Sequence, residues 1–461
     1  MTSTIPNIEF VKFSKLYNWS VQYLLEDTFS YNQEFPLVEI GSFLKRSRRT
    51  INVQNGISYK RVKIKINNGG VFLRDIEVGE NIGTKKQFEV RKKQFIFSRI
   101  DARNGAMGFV PDELDGAIVT NDFPVFDVDN SIINTEYLVL ITTTKKFIEF
   151  AQSSSSGTTN RQRLDVDAFL SVQIPLPPLD DEDAKNKNLP NSMTQKRFVA
   201  AYNQKIEDAK AANQRAIEQA RKMQLYIKKS LGISNENTKE YNLGLNFVRF
   251  KELDFWSLDT IKYNSSNFYP QKKIGHICEI SSGGTPSRSR QDYFNGNIPW
   301  IKTGELKDNI IYETEEKITE KGLNNSSAKL YSKGSIVVAM YGATIGKTAK
   351  LGIQATTNQA CAVLFNFNEE VLADYVWIYL QSQTETLKSK AYGSAQPNIN
   401  ARMIYDTEIP IPPKSIQINL IEKINQIKIE ISNFSKKCSE LKRNALLDFE
   451  HQIFNRINEN T

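Results

Sequence analysis

The sequence reads QIPLPP at residues 173–178 and EIPIPP at residues 408–413, so one proline-rich motif recurs 235 residues later. Proline fixes its own backbone and restricts the residue before it, so each copy is expected to end regular structure. Four further pairs recur at offsets of up to 240 residues. They are FVKFSKLYNWS (10–20) with FVRFKELDFWS (247–257), VRKKQFIFSRIDARNG (90–105) with LYSKGSIVVAMYGATIG (330–346), VTN (119–121) with TTN (356–358), and EYLVL (136–140) with DYVWIYL (374–380). The sequence therefore predicts two related halves of roughly 230 residues each.

Each half has the same order of features. Short β-like runs broken by Gly, Asn and Asp come first, the proline-rich motif follows, and a long helical stretch comes last. The predicted segments are a first mixed domain (1–193), a first helix (194–232), a second mixed domain (233–413) and a second helix (414–461).

The two long stretches carry apolar residues in steps of three and four. This spacing forms a heptad seam and predicts that the two helices pack on each other as a coiled coil. The alternative is that each helix covers only its own half. The seam of the second stretch is Leu420, Ile424, Ile427, Ile431, Phe434, Cys438, Leu441 and Ala445. The seam of the first is Val199, Tyr202, Ile206, Ala209, Asn213, Ala216, Ala220, Met223 and Ile227, with polar Asn213 in its middle.

The predicted helices are long enough to act as a spacer. A helix of about 35 residues spans roughly 50 Å, and one turn of B-DNA rises about 34 Å. Two related units on such a spacer suit a split DNA site, in which two short sequences flank bases that are not read.

The charge of the chain mildly favours a polyanionic partner. Lys and Arg total 60 against 52 Asp and Glu, which gives a net charge of +8 and an isoelectric point near 9.0. Most of the excess in the first half lies in LKRSRRT (44–50), YKRVKIK (59–65) and KKQFEVRKKQF (85–95). Because aromatic residues lie between these clusters, they are candidates for a phosphate-binding surface; a solvated face is the alternative.

Chemistry that needs several histidine or cysteine ligands is largely excluded. The three cysteines are widely spaced and there are only two histidines, so neither a disulfide framework nor a zinc cluster is expected. No apolar run is long enough to span a bilayer, and the first residues show no signal peptide. A cytoplasmic protein is therefore expected.

Three motifs of catalytic proteins fit this sequence poorly. GATIGKT (342–348) ends like a phosphate-binding P-loop, but its first glycine is one place late and no long amphipathic helix follows. PLDDEDAK (178–185) carries an acidic cluster and a lysine as metal-dependent nucleases do, but it is better interpreted as a solvated linker. The Asn/Asp-Pro-Pro-Tyr/Phe motif of an adenine methyltransferase is missing. The sequence thus predicts no catalytic residue and no metal ligand.

Four segments of the second half carry a family resemblance. They are ISSGGTPSRSRQDYFNGNIPWIKTGEL (280–306), LYSKGSIVVAMYGATIGKTAKLG (330–352), TTNQACAVL (356–364) and GSAQPNINARMIYDTEIPIPP (393–413). Together they resemble a target recognition domain of a type I restriction-modification specificity subunit. The order domain, helix, domain, helix extends the resemblance to essentially the whole chain, although SYKRVKIKINNGG (58–70) replaces the IPWIKTGEL stretch in the first half.

The resemblance implies a fold and a function. The fold class would be α+β, with two mixed α/β target recognition domains, two long helices forming an antiparallel coiled coil, and a pseudo-twofold internal repeat. Each domain would read one half of an asymmetric bipartite site in double-stranded DNA. The subunit would be non-catalytic and would bind two methyltransferase subunits through its helices and, in a full complex, two restriction subunits. No cofactor would bind this chain: S-adenosylmethionine would bind the methyltransferase, and ATP and Mg the restriction subunit.

Base edges are read by Arg, Lys, Asn, Gln, Ser and Thr side chains, and these are abundant in the predicted loops. Surface solubility or turn chemistry is the alternative role for each of them. The DNA-binding candidates of the first half are Arg46, Arg48, Arg49, Lys60, Arg61, Arg99, Arg103, Asn160, Arg161 and Arg163. Those of the second half are Thr285, Ser287, Arg288, Arg290, Lys302, Tyr341, Lys347, Gln396 and Asn398. The candidates for the coiled coil and partner binding are Tyr202, Ile206, Asn213, Met223, Ile227, Leu420, Ile424, Ile427, Ile431, Phe434 and Leu441.

Two other functions remain open at this point. One is a nucleotide-binding enzyme that uses Gly346, Lys347 and Thr348. The other is a coiled-coil scaffold that binds proteins without recognising a DNA sequence.

Overall fold

The computed structural model describes residues 34–153, 155–156, 163–187, 193–233, 268–392 and 397–454. The recurring pair at 10–20 and 247–257 lies outside these residues. The described residues form two units, one drawn from 1–212 and 436–461 and the other from 213–435.

The first unit contains two main antiparallel or mixed sheets, ordered β2-β10-β7-β8 and β3-β6-β9-β4-β5, and the pairs β1-β13 and β11-β12. Its strands are β1 (Leu37–Glu39), β2 (Leu44–Ser47), β3 (Thr50–Asn52), β4 (Ser58–Lys65), β5 (Gly70–Val78), β6 (Lys86–Glu89), β7 (Phe95–Phe97), β8 (Met107–Phe109), β9 (Ile118–Val119), β10 (Val125–Val128), β11 (Ser155–Ser156), β12 (Arg163–Leu164) and β13 (Gln173–Pro175). Its shorter helices are α1 (Thr135–Thr143), α2 (Lys145–Ser153), α3 (Val166–Leu170) and α4 (Asp181–Asn186), and α5 (Gln195–Ser230) begins in it.

The second unit repeats this plan with sheets ordered β15-β22-β19-β20-β17 and β18-β16-β21, and the pair β14-β23. Its strands are β14 (Gln271–Lys273), β15 (Glu279–Ser282), β16 (Phe294–Ile301), β17 (Asn309–Ile311), β18 (Glu316–Ile318), β19 (Ile336–Ala339), β20 (Thr348–Leu351), β21 (Thr356–Thr357), β22 (Cys361–Phe365) and β23 (Glu408–Pro410). Its helices are α6 (Glu320–Asn324), α7 (Ala373–Ser382), α8 (Thr384–Ser389), α9 (Ala401–Tyr405) and the start of α10 (Lys414–Ile453).

The proline-rich motif has the same structural role in both units. Pro175 is paired with Leu37 across β13 and β1, and Pro410 is paired with Gln271 across β23 and β14. The backbone oxygen of each proline accepts a hydrogen bond from a buried tyrosine hydroxyl, from Tyr137 at 2.9 Å and from Tyr375 at 2.6 Å. The two tyrosines are the pair that the sequence repeat matches, so the predicted duplication is confirmed at this contact.

The structure also aligns the two segments that differ most in sequence. β4 pairs in parallel with β9 through Arg61 and Ile118, and β16 pairs in parallel with β21 through Trp300 and Thr356. SYKRVKIK therefore forms the strand that corresponds to the one ending in PWI, although the two share little sequence.

The sequence repeat pairs residues 90–105 with 330–346 and matches Lys93 with Lys333 at an offset of 240, but this match is wrong by one residue. Lys93 corresponds to Gly334 and not to Lys333, because both adopt positive φ angles (65° and 93°) just before the central strand. Their N–H groups donate to the oxygens of Val110 and Leu351 at equivalent places in the next strand.

A buried glutamine connects each long helix to its domain. Gln195, the first residue of α5, donates to the oxygens of Ile132 and Pro177 and accepts from Asn134 N–H, at 2.7–3.2 Å. The side chain is fully buried, and its hydrogen bond to the Pro177 oxygen is buried as well, so that oxygen depends on the glutamine for a partner.

The second unit repeats this contact in the first turn of α10. Gln417 is also fully buried, donates to the oxygens of Glu370 and Pro412, and accepts from Leu372 N–H, each at 2.9 Å. The partners correspond one to one with those of Gln195. The offset between the glutamines is only 222 residues, because the first half inserts helix α4 before its long helix.

The inserted acidic segment, predicted to be a solvated linker, forms α4 and contacts the start of α5. Asp180 and Asp181 form ion pairs of 2.8 Å with Lys196 and Arg197. The acidic side chains are therefore structural.

The two long helices pair in opposite directions. In the first unit, Ala209 and Ala212 of α5 pack on Cys438 near the end of α10, and Lys205 forms an ion pair with Asp448. In the second unit, the end of α5 packs on the start of α10. The residues buried in one cluster there are Ile227, Leu231, Leu420, Ile424 and Ile427, with Met223 and Ile431 packed against them. An antiparallel coiled coil is thus confirmed.

The predicted seam holds except at one position. Tyr202 and Ile206 are partly buried, as are Phe434 and Leu441. Asn213 was predicted inside the seam, but this is wrong: its side chain is exposed and Ala212 is buried instead. An alanine permits close helix approach without burying an amide that would need a hydrogen-bond partner.

No helix of the described residues is long and apolar enough to cross a membrane.

We expect Gln417→Leu to lower the free energy of unfolding by about 2–4 kcal/mol, because three backbone groups lose their partner and the oxygen of Pro412 is left unpaired in a buried site. Denaturant unfolding of the full chain measures the change. The matched control is Gln426→Leu, an exposed glutamine on the same helix, which should change stability by less than about 0.5 kcal/mol. Equal effects of the two substitutions would contradict this role.

Candidate nucleic-acid interface

An open cleft of about 480 Å³ lies in the first unit, beside the ends of β2, β6 and β9. Four cations line it, from segments that are far apart in sequence. The lining residues are Arg46, Arg48, Thr50, Lys86, Phe88, Arg99, Asn121, Asp165, Val166 and Asp167. Three of the predicted DNA-binding residues are thus brought together.

The protein neutralises the positive charge of this cleft only in part, because four cations line it together with two carboxylates, Asp165 and Asp167. Partial burial, reinforced by repulsion from Arg48 and Arg99, lowers the pKa of the Arg46 guanidinium. Within the described residues, none of the four cations lies within 4 Å of a carboxylate. Arg46 donates only a long 3.4 Å hydrogen bond to Asn121 Oδ1. Such crowded charge is stabilised by a bound anion, and phosphodiester groups are suitable ligands.

The other DNA-binding candidates of the first unit that the structure describes do not line the cleft. Lys60 donates to the oxygen of Glu113 at 2.9 Å, and Arg163 forms an ion pair with Asp122. Arg61 uses Nε and Nη2 to bind both carboxylate oxygens of Asp75, at 2.6 and 2.8 Å. Arg49 is exposed beside the cleft, and Arg103 is partly buried in a 3₁₀ turn. Asn160 and Arg161 lie outside the described residues.

The four cationic candidates of the second unit each contact a carboxylate. Arg290 pairs with Asp292 at 2.9 Å, and Lys347 with Asp308 at 2.7 Å. Arg288 and Lys302 share Glu316, at 2.8 and 3.0 Å. Lys302 also reaches Glu315 at 3.0 Å. Each of these cations thus lies within 4 Å of a carboxylate, in contrast to the four cations of the cleft in the first unit.

The polar candidates of the second unit lie on two neighbouring groups of loops. Thr285 hydrogen-bonds Gln359, and the hydroxyls of Ser287 and Ser289 are 2.8 Å apart. Tyr341 is exposed and pairs by its backbone with Asn398. Gln396 lies outside the described residues.

The residues of the P-loop-like motif are already engaged in structure. Gly342–Thr344 is a 3₁₀ turn, and strand β20 follows directly, whereas a P-loop leads into a helix. Gly346 (φ 77°) occupies the turn that Gly105 (φ 75°) occupies in the first unit. The Thr348 hydroxyl donates to Asp308 and accepts from Trp377 Nε1. This geometry gives no support to a nucleotide site.

No cluster of metal-ligating side chains is found among the described residues. The cysteines are buried, and burial raises the pKa of the Cys278 thiol to about 12, so it is not a reactive thiolate.

Sequence reasoning missed several functional candidates. Two of them could have been found from the sequence. Lys86 lies in the basic cluster KKQFEVRKKQF, and Asn121 is the residue that VTN shares with TTN in the repeat. Glu316 and Trp300 carried no such signal, because only the folded chain brings them to Arg288.

The sequence profile of the family described as Type I restriction modification DNA specificity domain matches residues 32–200 and 269–443. The chain belongs to this family. The two matched regions correspond to the two halves of the repeat, so the family fold is duplicated in this member.

Individual relatives agree with the assignment. A Methanocaldococcus jannaschii protein, the type I restriction enzyme MjaIX specificity subunit, is 30% identical over 191 residues, which cover 39% of this chain and 44% of the relative. The match thus spans less than half of that protein. The HindI specificity subunit of Haemophilus influenzae is 23% identical over 397 residues, covering 78% of this chain and 84% of the relative.

One solved structure supports the fold of this family member. It comes from work on complex assembly and conformational transition of the type I R-M system, and covers 92% of this chain and 98% of its own. The TM-score is 0.59 at 16% identity, so the likeness concerns the fold alone.

We expect Arg48→Gln to weaken binding to duplex DNA and to reduce the slope of log K against log salt by about 0.9, as loss of one phosphate contact should. Fluorescence anisotropy between about 50 and 200 mM salt measures both. Lys145→Gln removes an exposed cation of the same unit that does not line the cleft, and should leave the slope unchanged. An unaltered slope for Arg48→Gln would argue against phosphate binding in the cleft.

Proposed function

We propose that this chain is the DNA-reading subunit of a type I restriction-modification complex. Each unit contacts one half of an asymmetric bipartite site in double-stranded DNA. The observation that carries the proposal is the cleft of the first unit, in which four cations outnumber two carboxylates and which lies on a domain of the DNA specificity family. A polyanion offsets the repulsion among its cations.

The subunit contributes recognition and no chemistry of its own. The methyltransferase partner holds S-adenosylmethionine and modifies adenine, and the restriction partner uses ATP and Mg. Two methyltransferase subunits dock on the helical pair, and two restriction subunits complete the full complex. The relatives named as specificity subunits support this division of roles.

The antiparallel helices supply the spacing between the two half-sites. Each helix has residues in both units, and the buried glutamine contact fixes each one to a domain. Lengthening the pair would therefore change the gap without changing the surfaces that read DNA.

A protein-binding scaffold is the competing function. It explains the helices but not the cleft, because four cations that only two carboxylates offset repel one another unless a further anion binds. Tight, strongly salt-dependent binding to duplex DNA in the presence of the methyltransferase favours DNA reading over the scaffold.

Methylation sequencing of cells that express this chain with its methyltransferase should reveal one bipartite adenine-methylation motif. Cells that express the methyltransferase alone are the control and should lack the motif. If the methylation pattern is the same with and without the chain, the proposed function is wrong.

A further inference from the structure

Arg288 is held more rigidly than an exposed arginine normally is. Its Nη1 lies 2.8 Å from Glu316 Oε2. Its guanidinium lies over two aromatic rings, 4.6 Å from the centroid of Phe294 and 5.0 Å from that of Trp300. Trp300 is itself fixed, because it is buried and its Nε1 donates to the oxygen of Gly284 at 3.0 Å.

Part of the hydrogen-bonding capacity of Arg288 is unused. Among the described residues, its Nε and Nη2 donate no hydrogen bond. The side chain is 56% exposed, so these donors are open to a ligand. By contrast, Arg290 spends both Nε and Nη2 on Asp292, each at 2.9 Å.

The local charge favours a neutral ligand over a phosphate. Glu316 accepts hydrogen bonds from both Arg288 and Lys302, and these contacts lower the pKa of its carboxyl group, so it stays ionised at neutral pH. With Glu315 beside Lys302, two acids balance two bases. A phosphate would be repelled by these carboxylates, whereas a base edge carries no net charge.

This arginine lies in the loop that follows β15, the strand that corresponds to β2 of the first unit. Ser47, at the end of β2, and Ser281, in β15, pair with corresponding residues of the neighbouring strand, Val125 and Val363. Arg48 directly follows Ser47 and lines the cleft. The loop that carries Arg288 follows the strand that contains Ser281. Both arginines thus leave the same strand of the repeated sheet.

We propose that Arg288 reads a guanine in the second half-site, with Glu316 and Trp300 as positioning residues. The inference rests on the proposed function. Two donors of a planar guanidinium match O6 and N7 of guanine in the major groove, and this pair is the commonest specific contact to a base. Because the aromatic rings and Glu316 already fix the side chain, little conformational entropy is lost on binding.

The test measures which bases are preferred by the complex that this chain forms with its methyltransferase, for the wild type and for each variant. The complexes are used to select from duplex DNA that is randomised in the second half-site. Arg288→Lys keeps the charge but loses the planar fork, and should reduce the preference for guanine at one position by roughly 5- to 100-fold. Glu316→Gln should weaken the same preference by a smaller factor. The first half-site should be unchanged in both variants.

Arg402→Lys is the matched control, because Arg402 also pairs with a carboxylate (Asp406, 2.6 Å) and lies over an aromatic ring (Tyr405, 4.9 Å). It should leave the motif unchanged. Uniform weakening at every position by Arg288→Lys, an unaltered motif, or a wild-type second half-site without a G·C pair would each overturn the inference. A wild-type complex with no bipartite motif at all would instead contradict the proposed function.

Discussion

A buried glutamine at the start of each long helix is the contact on which the rest of the structure depends. Gln195 and Gln417 are fully buried, and each binds two backbone oxygens and one N–H. One of those oxygens belongs to the proline-rich motif and the N–H to the entrance of the neighbouring helix. Because proline has no N–H to continue a strand, the strand ends there, and the glutamine fixes the start of the long helix to this motif.

The two units use one framework with different electrostatics. The first gathers four cations in a cleft with only two carboxylates, Asp165 and Asp167, and this excess of positive charge favours contacts to phosphates. In the second, each candidate cation contacts a carboxylate, so long-range attraction is weak and orientation is strong. In protein–DNA recognition, phosphate contacts position the protein and base contacts specify the sequence. The two units thus share a framework but differ in the electrostatics of their candidate DNA-binding residues.

Much of the fold could be predicted from the sequence because the repeat compares two copies of one structure. The sequence repeat matches Tyr137 with Tyr375 and Pro175 with Pro410. In each unit the tyrosine hydroxyl donates a hydrogen bond to the backbone oxygen of the proline. The glutamine contacts were not foreseen, because the inserted α4 shifts their offset away from that of the other pairs.

The site was harder to predict than the fold, since its geometry comes from residues distant in sequence. Arg46, Lys86 and Arg99 meet only through the sheets. The partner of Arg288 is 28 residues away, in a segment without a distinguishing motif. Asn213 was misplaced because the alanine-rich seam allows two adjacent registers, and the cost of burying an amide decides between them.

Insertion of one heptad into each long helix, between residues 212 and 213 and between 435 and 436, tests the central claim most directly. Seven residues add about 10 Å of helix, or roughly three base pairs of B-DNA. Methylation sequencing should then show both half-sites unchanged and the gap between them widened by about that amount. An unchanged gap, or a change in either half-site, would contradict the account.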